Sequence, residues 1–255
     1  MLRVVNVSKT FSTPQGSFHA LENICFTVNE GEFVSVVGSS GCGKTTLLNI
    51  VAGVVPVDAG QVMLRGERVQ RVHRSVGYAF QQSTLLPWRT VQENIELGME
   101  LRAVPAKERR ARASELIAQV GLSGFADVYP HQISGGMAKR AEIARVLAID
   151  PDLLLMDEPF GALDAQTKMQ MQNGLLELLQ TFRKTVLFIT HDLDEAVVLS
   201  DRVITMTARP GRIKNEHRID LGRPRESRAA RLDRRFRDIL QPIWEDIEPA
   251  NAERT

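Results

Sequence analysis

Apolar positions along the chain fall into two kinds of run. EFVSVVG (32–38), DLLLMDEP (152–159) and TVLFITH (185–191) are short and apolar almost throughout, and each ends in a polar or glycine-rich turn. Strands buried on both faces carry continuous apolar runs, whereas half-exposed strands alternate, so these three read as buried strands of a parallel sheet. Stretches between them, TTLLNIVAG and GLLELLQTFRK among them, suit helices. Strands alternating with helices predict an α/β fold with a largely parallel sheet core, and ligand then belongs at the loops that leave the strand ends.

From about residue 90 to 148 the pattern changes. VQENIELGMELR, KERRARASELIAQVG and MAKRAEIARVLA all suit helices and no strand run interrupts them, which predicts an inserted α-helical subdomain. The sheet core then covers about 1–89 and 149–212 of a single domain spanning 1–255, with a helical extension over about 213–255. Within that extension RAARLDRRFRDILQPIWEDI reads as one amphipathic helix, its charges forming a solvated face.

At 255 residues the chain can bury a sizeable core. Its 32 basic and 31 acidic residues nearly cancel, which gives no general electrostatic reason to bind nucleic acid or an acidic membrane surface. Cys25 and Cys42 show neither metal-ligand spacing nor a disulfide framework, so they read as small packing residues in a reducing compartment. The N-terminus, MLRVVNVSKTF, has no apolar signal core, and no apolar run approaches the ~20 residues that span a bilayer. The expected place is the cytoplasm, with any membrane work left to a partner.

GSSGCGKT, Gly38 to Thr45, matches GxxxxGK[ST] between a predicted strand and a predicted helix, the context that makes this phosphate-binding pattern specific. Gly38, Ser39, Ser40, Gly41, Cys42 and Gly43 form a loop whose N–H groups can turn inward onto phosphate at a helix start. Lys44 adds a point charge for the β and γ phosphates, Thr45 a hydroxyl for Mg²⁺, and Thr46 a contact to a neighbouring phosphate. Asp157 and Glu158 end the LLLMDE strand, where Asp157 suits Mg²⁺ through water and Glu158 suits the general base that activates the attacking water. His191 would face the γ-phosphate if its strand lies beside that of the phosphate loop, and Gln81 offers a side-chain oxygen to Mg²⁺ or the water. ISGGM (133–137) resembles half of a second phosphate site: a serine and two glycines at a helix start, without a lysine.

GSSGCGKT, Gln81, ISGGM, LLLMDEP, GALD and the His191 strand stand in the order found in ATP-binding cassette proteins, and residues 2–212 closely resemble their nucleotide-binding subunits. The resemblance implies a P-loop NTPase (RecA-like) core with a small N-terminal antiparallel β region, ATP and Mg²⁺ as cofactors, and ATP hydrolysis as the reaction. It makes Gln81 the Q-loop residue, Ser134, Gly135 and Gly136 the phosphate-binding part of the signature, Asp164 the D-loop aspartate and His191 the switch histidine. It also implies head-to-tail pairing with a second nucleotide-binding subunit, identical or related, each signature closing on the ATP held by the other's Lys44 loop. An aromatic stacking on adenine falls on Phe11, with Phe18 the competing candidate. The signature departs from the commonest form, LSGGQ, by Ile133 and Met137, which leaves the usual polar role of the glutamine unfilled.

Met137 together with LLPW, DEPFGALD, ARPGRI and IDLGRPR looks like the nitrate, sulfonate and taurine importer group. Such a subunit works at the cytoplasmic side of the inner membrane with integral permease subunits, is served indirectly by a periplasmic or extracellular solute-binding protein, and binds no nucleic acid. Leu85 to Arg89 would lie near the permease, with Trp88 either an exposed anchor or a buried packing residue. The alternative function is a soluble cassette ATPase acting on nucleic acid or the ribosome.

Overall fold

A computed structural model of the chain describes residues 1–14, 16–161, 163–223 and 225–248. Gln15, Ala162 of the GALD motif, Pro224 of IDLGRPR and residues 249–255 of the C-terminal extension lie outside the described residues. The chain opens with β1 (Leu2–Thr13), β2 (Gly16–Val28), β3 (Phe33–Gly38), α1 (Lys44–Val51), β4 (Ala59–Leu64), β5 (Glu67–Arg68) and β6 (Val76–Ala79). Then come α2 (Val91–Leu101), α3 (Ala106–Gln119), α4 (Gly135–Ala148), β7 (Leu153–Asp157) and α5 (Ala165–Phe182). It closes with β8 (Thr185–Thr190), α6 (Leu193–Leu199), β9 (Arg202–Met206), β10 (Ile213–Arg218), α7 (Ser227–Leu232) and α8 (Arg234–Ile247). The three apolar runs are β3, β7 and β8, buried at every position from first to last. By contacts the chain divides into two compact units, residues 1–73 with 184–255, and residues 74–183.

In the first unit, β2, β1, β4 and β5 form an antiparallel sheet in that order. Leu2, Val4 and, past a register shift, Val7 of β1 are buried with alternate residues Ile24, Phe26 and Val28 of β2, which is the signature of a sheet with one wet face. Beside it, β3 runs parallel to both β8 and β9, while β10 pairs antiparallel with β9. Buried at every position, β3 has no wet face, so its lone hydroxyl must find a partner inside: Ser35 shares a hydrogen bond with buried Ser200.

Two details of the C-terminal stretch differ from the sequence reading. Ile213–Arg218 is a strand, β10, and not the start of a helical extension; its residues IKNEHR are polar because it has one neighbour, so periodicity had nothing to register. The expected single amphipathic helix is two, α7 and α8, broken at Asp233, whose carboxylate turns back to accept from Arg235 N–H at 2.9 Å and caps α8. Below the cap, Asp246 ties the far end of α8 to β9 and β10, accepting from Thr205 Oγ1 at 2.8 Å, Asn215 Nδ2 at 2.7 Å and His217 Nε2 at 2.7 Å.

In the second unit β6 and β7 pair in parallel, Val76 opposite Leu153 and Ala79 opposite Met156. Helices α2, α3 and α4 bury Ile95, Leu116, Ile143 and Leu147 among them. A capping box starts α2: Thr90 Oγ1 accepts from Glu93 N–H, and the Glu93 carboxylate from Thr90 N–H.

Candidate functional site

Phe11, the glycine-rich loop and His191 belong to the first unit. The loop leaves β3 and enters α1 through Gly43, which caps the helix at φ 96°. A Cβ there would stand 2.7 Å from Leu21 Cδ2 and 2.9 Å from Ala20 O, so both conformation and space demand glycine. Lys44 is nearly buried and donates its ammonium to Gly38 O at 2.8 Å and Ser39 O at 3.1 Å, which folds the cation over its own loop. Ser39, Ser40, Gly41 and Thr45 are exposed, and Thr46 is half-buried. Burial pushes the Cys42 thiol pKa up, with neighbouring Lys44 opposing, so this cysteine is an unreactive wall of the loop.

The ARPGRI segment braces that loop from behind. Gly211 N–H donates to Ala20 O at 3.0 Å, and Gly211 O accepts from Glu22 N–H at 2.9 Å. A Cβ on Gly211 would fall 2.1 Å from Cys42 O, so the backbone passes directly against the phosphate loop. Sequence reasoning used ARPGRI only as a mark of likeness; its glycine was the available signal.

Strand β8 does lie beside β3, Thr190 opposite Val37, and His191 follows immediately as an exposed residue at the same end as the loop. Asp192 next to it caps α6 by accepting from Glu195 N–H at 3.0 Å. Phe11 and Phe18 prove to be directly opposite each other across the β1–β2 hairpin, both partly exposed. Opposed residues of an antiparallel pair share a face, so the two candidates form one aromatic position. Lys9 Nζ sits 5.4 Å from the Phe11 ring centre.

Gln81, Ser134, Gly135, Gly136, Asp157, Glu158 and Asp164 belong to the second unit. Asp157 ends β7 and is 5% exposed. Burial, with the Asp157 charge adding to it, pushes the Tyr78 hydroxyl pKa well above the usual tyrosine range. Glu158 sits at φ 42°, a left-handed conformation that costs a non-glycine residue of order 1–3 kcal/mol and is held only where the surroundings impose it. Gln81 Nε2 donates to Glu158 Oε2 at 3.4 Å, so these two candidates meet.

Ser134 is the N-cap of α4, its hydroxyl accepting from Met137 N–H at 3.3 Å, with Gly135 and Gly136 forming the first turn. A Cβ on Gly136 would lie 2.7 Å from Thr167 Cγ2 of α5, so a side chain there would have to displace that methyl group. Met137 is half-buried and contributes its backbone N–H to the cap. Asp164 caps α5, accepting from Gln166 and Thr167 N–H, and the Thr167 side-chain hydrogen bond first, with these N–H bonds after it, holds its carboxyl below the usual carboxylate range.

Two groups that sequence reasoning missed shape the segment after Gln81. Fully buried Asn94 accepts from Leu86 N–H at 2.7 Å and donates to Leu86 O, Arg89 O and Thr90 O within 3.1 Å. That pins the turn carrying Trp88, which is 70% exposed and therefore not a core residue. An open cleft of about 770 Å³ beside Trp88 is lined by Arg89, Glu93, Glu96, Glu100 and Arg109. The other group is a set of charges on α4, Lys139, Glu142 and Arg145, which reach residues 80–84.

A family model described as ABC transporter matches residues 21–161. An uncharacterized ABC transporter ATP-binding protein of Methanocaldococcus jannaschii is 49% identical over 96% of this chain and 92% of its own. A taurine import ATP-binding protein of Rhizobium johnstonii is 42% identical over 95% of both chains, and an aliphatic sulfonates import ATP-binding protein of Bacillus cereus is 42% identical over 95% of this chain and 94% of its own. Among solved structures, a dimeric ATP-binding cassette in a post-hydrolysis state bound to ADP and Pi superimposes with a TM-score of 0.77 at 34% identity, covering 87% of this chain and all of the other.

Proposed function

The chain belongs to the ABC transporter family and is an ATPase of it, and from that premise we propose that it powers an importer for a small anionic or zwitterionic solute of the taurine, aliphatic sulfonate or nitrate kind. The observation that carries this is a complete phosphate loop on β3, beside the strand of His191, in a chain whose relatives named for taurine and sulfonate import match it nearly end to end. Nothing in the relatives' names favours the nucleic-acid alternative. No helix among the described residues is long and apolar enough to cross a membrane, so the proposal places solute movement in separate permease subunits and the ATPase at their cytoplasmic face. A solute-binding protein delivers to the permease without touching this chain.

In this reading the loop N–H groups from Ser39 to Gly43, Lys44 and Thr46 hold the phosphates, and Phe11 with Phe18 stacks on the base. Thr45, Gln81 and Asp157 offer a hydroxyl, an amide oxygen and a carboxylate, a set of hard oxygens that suits Mg²⁺. When bound, that ion neutralises phosphate charge. Glu158 orients and deprotonates the water, with Gln81 holding its carboxylate and His191 contacting the γ-phosphate. Ser134, Gly135 and Gly136 bind the γ-phosphate held by the partner copy. The half-site lacks a cation of its own, so it works only in the pair, and a closed pair favoured by ATP opens when the γ-phosphate leaves. The 1–255 chain then acts as one ATPase domain.

Glu158→Gln tests the reading. ATP should shift this variant to a dimer on size exclusion while hydrolysis falls at least ~100-fold, the usual scale for a lost general base. Hydrolysis at the wild-type rate would remove Glu158 from its role. Pull-down from membranes should recover an integral permease; recovery of nucleic acid instead would favour the alternative. Reconstitution with that permease and its binding protein, assayed for stimulation by taurine, an alkyl sulfonate or nitrate, identifies the solute.

A further inference from the structure

Lys139, Glu142 and Arg145 stand three residues apart on α4, and the first two are 8% and 2% exposed. Buried charges are costly unless each finds partners, and among the described residues the hydrogen-bond partners of these three outside the helix lie in one short segment. Lys139 Nζ donates to Phe80 O at 2.9 Å and Gln81 O at 3.4 Å, and pairs with Glu142 Oε2 at 2.8 Å. Glu142 Oε1 accepts from Thr84 N–H. Arg145 donates to Thr84 O at 2.8 Å and to the Thr84 hydroxyl. Residues 80–84 follow β6 without forming a strand or helix, so their N–H and C=O groups have no ladder to join, and the side chains of α4 take its place.

The same helix is capped by Ser134, about 7.5 Å from Lys139 along the axis at ~1.5 Å per residue. From the clamped backbone, the Gln81 side chain reaches Glu158. Immediately after the clamp, the Asn94-pinned turn presents exposed Trp88. We propose that Lys139, Glu142 and Arg145 are positioning residues that lock the backbone of residues 80–84 to α4. Gln81 and the Ser134–Gly136 amides then move as one rigid piece, and a displacement received at Trp88 reaches both together. This inference rests on the proposed ATPase function for its kinetic consequence, and on the geometry of the second unit alone for its mechanical one.

Full-length Lys139→Met, Glu142→Gln and Lys139→Arg are compared with the wild type in steady-state ATP hydrolysis and in hydrogen–deuterium exchange of peptides covering residues 80–86 and 133–138. Because the clamp touches no nucleotide, KM for ATP should stay within about twofold while kcat falls about tenfold in Lys139→Met and Glu142→Gln. Lys139→Arg, which keeps a cation facing the two carbonyls, should recover to within about threefold. Exchange should quicken in both peptides of the two weakened variants. Should those variants fold poorly, Thr84→Pro removes the N–H given to Glu142 from an exposed position and leaves α4 intact, with the same loss expected. Faster exchange at 80–86 with unchanged exchange at 133–138 overturns the proposal, as does an unchanged kcat in folded Lys139→Met. A wild-type protein that hydrolyses no ATP would sink the proposed function instead, and the exchange comparison would still decide the clamp.

Discussion

At the scale of single residues, the site is held by backbone geometry as much as by side-chain chemistry. Gly43 joins β3's loop to α1 in a conformation and a space that exclude a side chain. Gly43→Ala should therefore leave most of the fold intact yet weaken ATP binding at least about tenfold, read by nucleotide titration, since strain of order 1–3 kcal/mol falls directly on the loop. Asp246 gives a pH-dependent counterpart away from the site. Burial alone would raise its carboxyl pKa, but the hydrogen bonds from His217, Thr205 and Asn215 outweigh burial and hold it below the usual carboxylate range. A carboxyl whose folded pKa is depressed stabilises fully above its unfolded value of ~3.9 and loses that contribution as pH falls through the folded value. Trp244 fluorescence in a Trp88→Phe background should accordingly report loosening of α8 only below about pH 4, and Asp246→Asn should flatten that acid dependence while weakening the docking at neutral pH. These residues were unequally legible. The phosphate loop and the acidic strand end declare themselves by local spacing, whereas Asn94 and Asp246 act through partners many residues away.

At the scale of elements, what could be read was what buries itself on both faces. β3, β7 and β8 are continuous apolar runs because no part of them meets water, and α2 and α3 carry helical periodicity because each has one wet side, while α4 is covered almost all round. β10 was missed because an edge strand of IKNEHR satisfies its backbone without an apolar face. The break between α7 and α8 was missed for another reason: Arg231, Arg234 and Arg235 stand close to Asp233, so its capping carboxylate is hidden among other charges. Asp233→Ala removes the N-cap of α8 and should lower the melting temperature by a few degrees without changing ATP hydrolysis. Loss of hydrolysis in that variant would mean the C-terminal helices serve the ATPase and not only its stability.

At the scale of the whole molecule, incompleteness is the organising fact. The chain carries one cation-bearing phosphate loop and one cation-free signature, and in the proposed two-fold pair each signature completes the other copy's loop. Two defective variants should then complement. Lys44→Ala and Ser134→Arg each damage both sites of their own homodimer, but a mixed pair combines the two defects at one site and leaves the other intact. Mixing the purified variants should restore ATP-dependent association, and measurable hydrolysis, that neither shows alone; failure to complement when both variants are folded would argue against head-to-tail exchange.

The opposed pair Phe11 and Phe18 carries a consequence for fuel choice. A stacked ring feels the area of a base and not the pattern of donors and acceptors along its edge, and such stacking is worth about 1–3 kcal/mol for any base. With the base stacked on these rings as proposed, the hairpin should discriminate poorly among purines, so GTP and ITP should support hydrolysis with KM values within about tenfold of ATP, and pyrimidine triphosphates, offering less surface, should lag. Inside a cell the energy source would then be set by which triphosphate is abundant, and the protein would have no need to choose.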